Sequence, residues 1–209
     1  MKILFLGDSV TDAGRNRQEG GLWHMGQGYP VMCAGELSHK YPTKYEFINR
    51  GVSGNRITDL YARIKQDCWN LQPDILSILV GINDVGHEVN RGDGVEDNRF
   101  EAVYRMLLED TLKRLPNLKI ILMEPFCLAV PHRPDDWGAF RKGAEAKSRI
   151  VEKLAREFGC TFVPLQRHFD KACELAPAAY WIGDGVHPTP AGNWLIAEEW
   201  LKAFETLQR

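Results

Sequence analysis

Apolar positions along this chain fall into two patterns that alternate from one end to the other. Residues 2–6, 45–49, 75–80, 120–123 and 161–164 are short, largely apolar runs of strand length, the form taken by strands buried on both faces. Between them, residues 31–40, 58–71, 100–115 and 141–158 carry apolar side chains at i, i+3 and i+4 spacings; Ile150, Val151, Leu154 and Phe158 make one such stripe. A last helical pattern, residues 191–207, follows Pro188 and Pro190, as suits a residue tolerated at or before a helix's first turn. Alternating strands and helices predict a mostly parallel five-stranded sheet covered on both faces, a three-layer α/β/α sandwich. The polar stretches 87–98 and 130–138 read as surface loops that shape a pocket.

A chain of 209 residues without repeats or a linker suits a single domain spanning residues 1–209. The net charge of -2, with no Lys/Arg cluster, argues against a nucleic-acid partner. The apolar run ending at Leu6 is too short for a signal peptide, and no stretch approaches the ~20 apolar residues of a membrane span. Cys33, Cys68, Cys127, Cys160 and Cys173 are odd in number and form no C-x-x-C pair, so each reads as a small buried hydrophobe in a reducing compartment, and the expected location is cytoplasmic. His24, His39, His87, His132 and His168 show no metal-ligand spacing, so neither a metal nor a cofactor is expected.

In an open parallel sheet, ligands bind beyond the carboxyl ends of the strands, and the distinctive residues of this chain follow its strand patterns. GDSVT, with Ser9, follows the first; NRGVSGN, with Gly54, the second; GINDV, with Asn83, the third. DGVHP, with Asp184 and His187 three residues apart, precedes the last helix. A serine hydroxyl needs a base to take its proton, and an imidazole serves best when a carboxylate fixes its tautomer. Ser9, His187 and Asp184 are the candidate triad on these grounds. The Ser9 and Gly54 N–H groups and the Asn83 side-chain amide are candidate donors to an oxyanion. Asp8, Asp12 and Asp84 read equally as groups that orient the loops and as helix caps. Trp23, Trp137, Tyr180 and Trp181 fall in loop-like segments, where rings stack on a sugar face or simply pack.

With GDSVT, GVSGN, GINDV and DGVHP in this order, the chain resembles the SGNH hydrolases, the GDSL esterase/lipase family, with GDSV where the name has GDSL. The resemblance implies a flavodoxin-like fold and maps the family's serine, glycine, asparagine and histidine onto Ser9, Gly54, Asn83 and His187, with Asp184 as the acid. GDSVTDAGR, INRGVSGNRITDL and GINDVG are most similar to the intracellular bacterial acetylxylan esterase and carbohydrate acetylesterase branch. Members of that branch tend to carry a tryptophan directly before the aspartate, where this chain has Gly183, with Trp181 two residues earlier. The resemblance implies an esterase that removes short acyl groups from a small acylated carbohydrate through an acyl-enzyme, and it is compatible with a homo-oligomer. The alternatives are a lysophospholipase, thioesterase or acyltransferase with the same triad, and a noncatalytic carbohydrate-binding protein.

Overall fold

Five parallel strands in the order β2-β1-β3-β4-β5 make the sheet: β1 (Lys2–Gly7), β2 (Glu46–Gly51), β3 (Ile75–Leu79), β4 (Lys119–Met123) and β5 (Thr161–Val163). The structure is a computed structural model that describes residues 1–17, 22–131 and 136–207. Its α-helices, in chain order, are α1 (Ser9–Asp12), α2 (Tyr29–Lys40), α3 (Ile57–Asp67), α4 (Ile82–Arg91), α5 (Asp97–Arg114), α6 (Trp137–Phe158), α7 (Gln166–Ala172), α8 (Ala178–Trp181) and α9 (Pro190–Leu207).

Both faces of the sheet are dry because alternate residues of each inner strand point to opposite sides. Ile3 and Phe5 of β1, with Ile121 and Met123 of β4, meet Tyr29 and Cys33 of α2 and Trp200 and Phe204 of α9. Leu4, Leu6, Ile120 and Leu122 face the other way, against α3, α5 and α6 through Leu60, Phe100, Tyr104 and Leu154. The predicted three-layer sandwich with its five-stranded sheet is the observed fold. A polar residue inside it is partnered: Ser77 of β3, fully buried, accepts the Trp200 indole N–H at 3.0 Å. A third, smaller cluster joins Ile82 and Val85 of α4 to Phe140 of α6 and to Val186. Among the described residues no helix is long and apolar enough to cross a membrane.

The chain leaves β1 for β2 on one side and then crosses to β3 on the other, so the strand order reverses between β1 and β3, where open α/β sheets form their crevice. Ser9 follows β1 and Asn83 follows β3, one on each side of that reversal.

The predicted elements are corrected in four places. The stretch 87–98 is not one loop: α4 runs through His87 to Arg91 and α5 begins at Asp97. α4 is masked in the sequence by the run of His87, Glu88, Asn90 and Arg91 around its short apolar stripe of Ile82, Val85 and Val89. α6 begins at Trp137, earlier than predicted, where Asp136 caps it by accepting the Ala139 N–H at 3.0 Å. The helix predicted over 58–71 stops at Asp67, and a single 3-10 turn, Trp69–Leu71, follows it. α7 and α8 are too short to show a stripe. Residues 132–135 of the stretch predicted as a loop, His132 among them, lie outside the described residues.

Candidate active site

β1 runs into α1 through a junction that has no room for side chains. A Cβ on Gly7 would lie 2.3 Å from Thr11 Oγ1, and one on Gly51, at the end of β2, would lie 2.2 Å from the Asp12 nitrogen. Asp8 caps α1 by accepting the Val10 N–H at 3.0 Å, which sets Ser9 as the first residue of the helix. Asn49 of β2 locks the neighbourhood: its amide donates to the carbonyls of Thr11 at 2.6 Å and Met25 at 2.8 Å and accepts the Gly51 N–H at 2.8 Å.

His187 approaches from the other end of the chain. Ile182 and Pro188 form an antiparallel bridge and the Gly183 N–H donates to the His187 carbonyl at 2.9 Å, closing residues 183–187 into a turn. Within it Asp184 Oδ1 accepts the N–H groups of Val186 at 3.0 Å and His187 at 2.7 Å, and Oδ2 lies 2.7 Å from His187 Nδ1. His187 Nε2 is 2.8 Å from Ser9 Oγ. A carboxylate can only accept, so the proton of the neutral imidazole is assigned to Nδ1, leaving Nε2 free to receive the serine proton. Gly185 sits beneath this turn with φ +91, and a Cβ there would come 2.0 Å from Trp137 Cη2. The Leu128 N–H also donates to the Gly185 carbonyl at 3.0 Å, so the β4 to α6 connection buttresses the histidine turn.

The third part is the turn around Gly54, whose φ of +81 favours glycine. It is held from two directions. Asp12 Oδ2 accepts the Ser53 N–H at 3.1 Å, the Ser53 hydroxyl at 3.2 Å and Arg17 at 2.7 Å, while both oxygens of Asp84 face the Ile57 N–H at 3.1 and 3.3 Å. Asn83 Nδ2 donates to the Asn55 carbonyl at 3.1 Å, which brings α4 against the same turn and leaves the amide a second N–H. The Ser9 and Gly54 N–H groups meet no acceptor among the described residues.

The carboxyls here ionise differently. Burial pushes Asp8 up to about 7 and outweighs the Val10 N–H; the Asp84 charge adds to the rise. Burial likewise raises Asp84 to about 7. Burial also opposes the charge on Asp184, but His187 and the Val186 N–H outweigh it and hold the carboxylate below its ordinary range. The same contest at Asp12 is decided by Arg17 and Ser53, and the shift is downward.

The pattern of the GDSL-like Lipase/Acylhydrolase family matches residues 5–195. The chain belongs to that family. As a GDSL-like acylhydrolase it is an ester-hydrolysing enzyme. It is 33% identical over 208 residues, 96% of this chain and 92% of the relative, to an acetylxylan esterase from Geobacillus stearothermophilus. The structure of that esterase aligns with a TM-score of 0.87, covering 97% of this chain and 93% of its own. A GDSL-like lipase from Parabacteroides merdae aligns with a TM-score of 0.92 at 39% identity, covering 97% and 94% of the two chains.

In this GDSL-like acylhydrolase Ser9, His187 and Asp184 form one hydrogen-bonded series, and Asn83 at the start of α4 is bonded to the turn that carries Gly54. The four aromatic residues are dispersed in role, and three are not in loops. Trp137 opens α6 and packs on Phe140 and Gly185, while Tyr180 and Trp181 lie on α8. Trp181 packs on the core and donates its indole N–H to the Ala176 carbonyl at 3.3 Å. Trp23 is 95% exposed in the 3-10 turn Leu22–His24, and Tyr180 is 57% exposed. Asn49 was missed, although an amide interrupting an apolar strand pattern is a signal of a buried network. Among the described residues no group of three or more His, Cys, Asp or Glu could hold a metal ion.

Proposed function

We propose that this acylhydrolase is a serine esterase that removes short acyl groups, acetyl foremost, from a carbohydrate such as an acetylated xylo-oligosaccharide. The observation that carries the reading is the unbroken series from Ser9 Oγ through the His187 ring to Asp184, at 2.8 and 2.7 Å. Ser9 Oγ attacks the ester carbonyl as Nε2 takes its proton, and the Asp184 carboxylate stabilises the imidazolium formed. The Ser9 and Gly54 N–H groups and the Asn83 amide receive the charge on the former carbonyl oxygen. The imidazolium then protonates the departing sugar oxygen, and water, deprotonated by the same histidine, releases the acid from Ser9.

The likeness to a protein named acetylxylan esterase supports a short acyl group on a sugar. The exposed rings of Trp23 and Tyr180 are available to stack on sugar faces. Acetate release from acetylated xylo-oligosaccharides, beside a series of p-nitrophenyl esters, tests the reading with wild type and Ser9→Ala. Wild type is expected to favour acetyl over octanoyl, and Ser9→Ala to lose at least about a thousandfold in turnover. Normal turnover without the serine hydroxyl would sink the mechanism, and a preference for octanoyl would sink the acetyl assignment.

A further inference from the structure

A hollow beside His187 has a chemical character that deacylation alone does not require. Asn83, His87, Asn90 and Arg91 stand at i, i+4, i+7 and i+8 of α4, so they form one stripe leading from the candidate oxyanion donor to the end of the helix. All four line the hollow together with His187, and among the described residues no acidic side chain lines it. Among the described residues its one permanent charge is the Arg91 guanidinium.

Arg91 differs from most arginines of the chain; Arg149 of α6 likewise makes no ion pair or hydrogen bond among the described residues, but it does not line this hollow. Arg17, Arg50, Arg56, Arg63, Arg99, Arg105, Arg114, Arg141 and Arg156 each lie within 4.0 Å of a carboxylate oxygen. Among the described residues Arg91 makes no ion pair and no hydrogen bond, although it faces the same hollow as His187. His87 offers the hollow no open donor through Nδ1, which is shielded from solvent and lies 3.8 Å from the Asp93 carboxylate. A guanidinium presents a planar fork of donors that matches carboxylate and phosphate oxygens, with the Asn83 and Asn90 amides lining the same hollow.

We propose that the α4 stripe is a subsite for an anionic group on the substrate, a carboxylate or a phosphate, carried by the sugar that bears the ester or by its neighbour. Eight residues of helix place Arg91 about 12 Å along the axis from Asn83, and the arginine side chain reaches back over part of that distance. The anion therefore sits within about one or two sugar units of the scissile carbonyl. This subsite rests on the esterase reading and deepens it by naming a charged class of substrate.

The test compares kcat/KM on three acetyl esters: a neutral acetylated xylotriose, the same oligosaccharide bearing a glucuronic acid, and an acetylated sugar phosphate. Each is run with wild type, Arg91→Gln and Arg91→Lys at low and at 0.5 M salt, with thermal midpoints checked for each protein. Wild type is expected to favour at least one anionic ester by about tenfold, chiefly through KM, the size of one charge-assisted contact. Arg91→Gln should bring that ratio near one, Arg91→Lys should keep part of it, and salt should reduce it. Preference for the uronic ester assigns the carboxylate, and preference for the sugar phosphate assigns the phosphate. Serine-dependent hydrolysis of all three esters at equal efficiency, or a preference that survives Arg91→Gln, overturns the subsite and leaves the esterase standing. Loss of all three activities from the wild-type protein, unlike either result, overturns the esterase reading itself and the subsite with it.

Discussion

Asp8 and Asp12 bracket the same four-residue helix and are almost equally hidden, 1% and 3% exposed, yet their carboxyls move in opposite directions. Asp8 lies among Leu79, Val80, Ile82 and Phe126 with one N–H donor. Asp12 meets Arg17, both donors of Ser53 and, at 3.3 Å, the Arg15 N–H. Solvent contact alone therefore does not decide the charge; the greater depth of Asp8 and the richer supply of donors at Asp12 decide it together. The difference follows the work of each group. Asp8 caps the turn that presents Ser9, which a neutral carboxyl can do, whereas Asp12 must span from α1 to the Gly54 turn, which its several charge-assisted bonds secure.

Asp12→Asn breaks this comparison most severely. It keeps the shape, removes the charge facing Arg17 and replaces one acceptor oxygen with a donor opposite Ser53. The Gly54 turn then loses its tie to α1. Charge-assisted bonds of this kind are worth about 1.5–3 kcal/mol, so kcat is expected to fall about tenfold to a hundredfold with KM little changed. Asp12→Glu should restore part of the rate. A variant that loses thermal stability but keeps its kcat would show that Asp12 serves the fold and not the Gly54 turn.

The legibility of the site in the sequence follows the same division between local and distant partners. Ser9, Gly54 and Asn83 could be found because each follows a strand pattern, and Asp184 with His187 because three residues of one turn hold both. The strand centres were legible because residues such as Ile3, Leu4, Phe5 and Leu6 are apolar on both faces. Asp12 gave no such sign: its partner Ser53 is 41 positions away, and an aspartate after GDSVT reads as well as a cap. α4 was obscured for the complementary reason: its apolar stripe, Ile82, Val85 and Val89, is only three residues long and is set among polar ones.

A smaller effect is expected at Asp8, in stability more than in rate. Below its ordinary pKa of 3.8 both the folded and unfolded chains carry the proton, so Asp8 gives no pH dependence there. From about 4 to about 7 the unfolded chain has released the proton while the folded chain keeps it, so stability falls as pH rises and levels off above that range. Asp84, also raised to about 7, contributes in the same direction. Asp8→Asn mimics the neutral acid and can still accept the Val10 N–H through Oδ1. Urea unfolding at pH 5 and pH 8 should show the variant losing less stability than wild type between the two. An equal loss in both proteins would mean that Asp8 is ionised across the whole range.

Ser53→Ala gives the smallest change and the sharpest measure of what one donor contributes. It deletes the hydroxyl that meets Asp12 Oδ2 at 3.2 Å while the Ser53 N–H and Arg17 remain at 3.1 and 2.7 Å. At 3.2 Å, with two other donors left on the same oxygen, this bond contributes a net ~1 kcal/mol, below the usual range for a bond to a charge, so a fall of about threefold to fivefold in kcat is expected. The Asp12 carboxylate should stay ionised, because its charged partner is retained. If the two substitutions act through one contact, adding Ser53→Ala to Asp12→Asn should cost less than it does in wild type. Additive losses would instead separate the serine from the aspartate, and the Gly54 turn would then be held by Asp84 and Asn55 more than by α1.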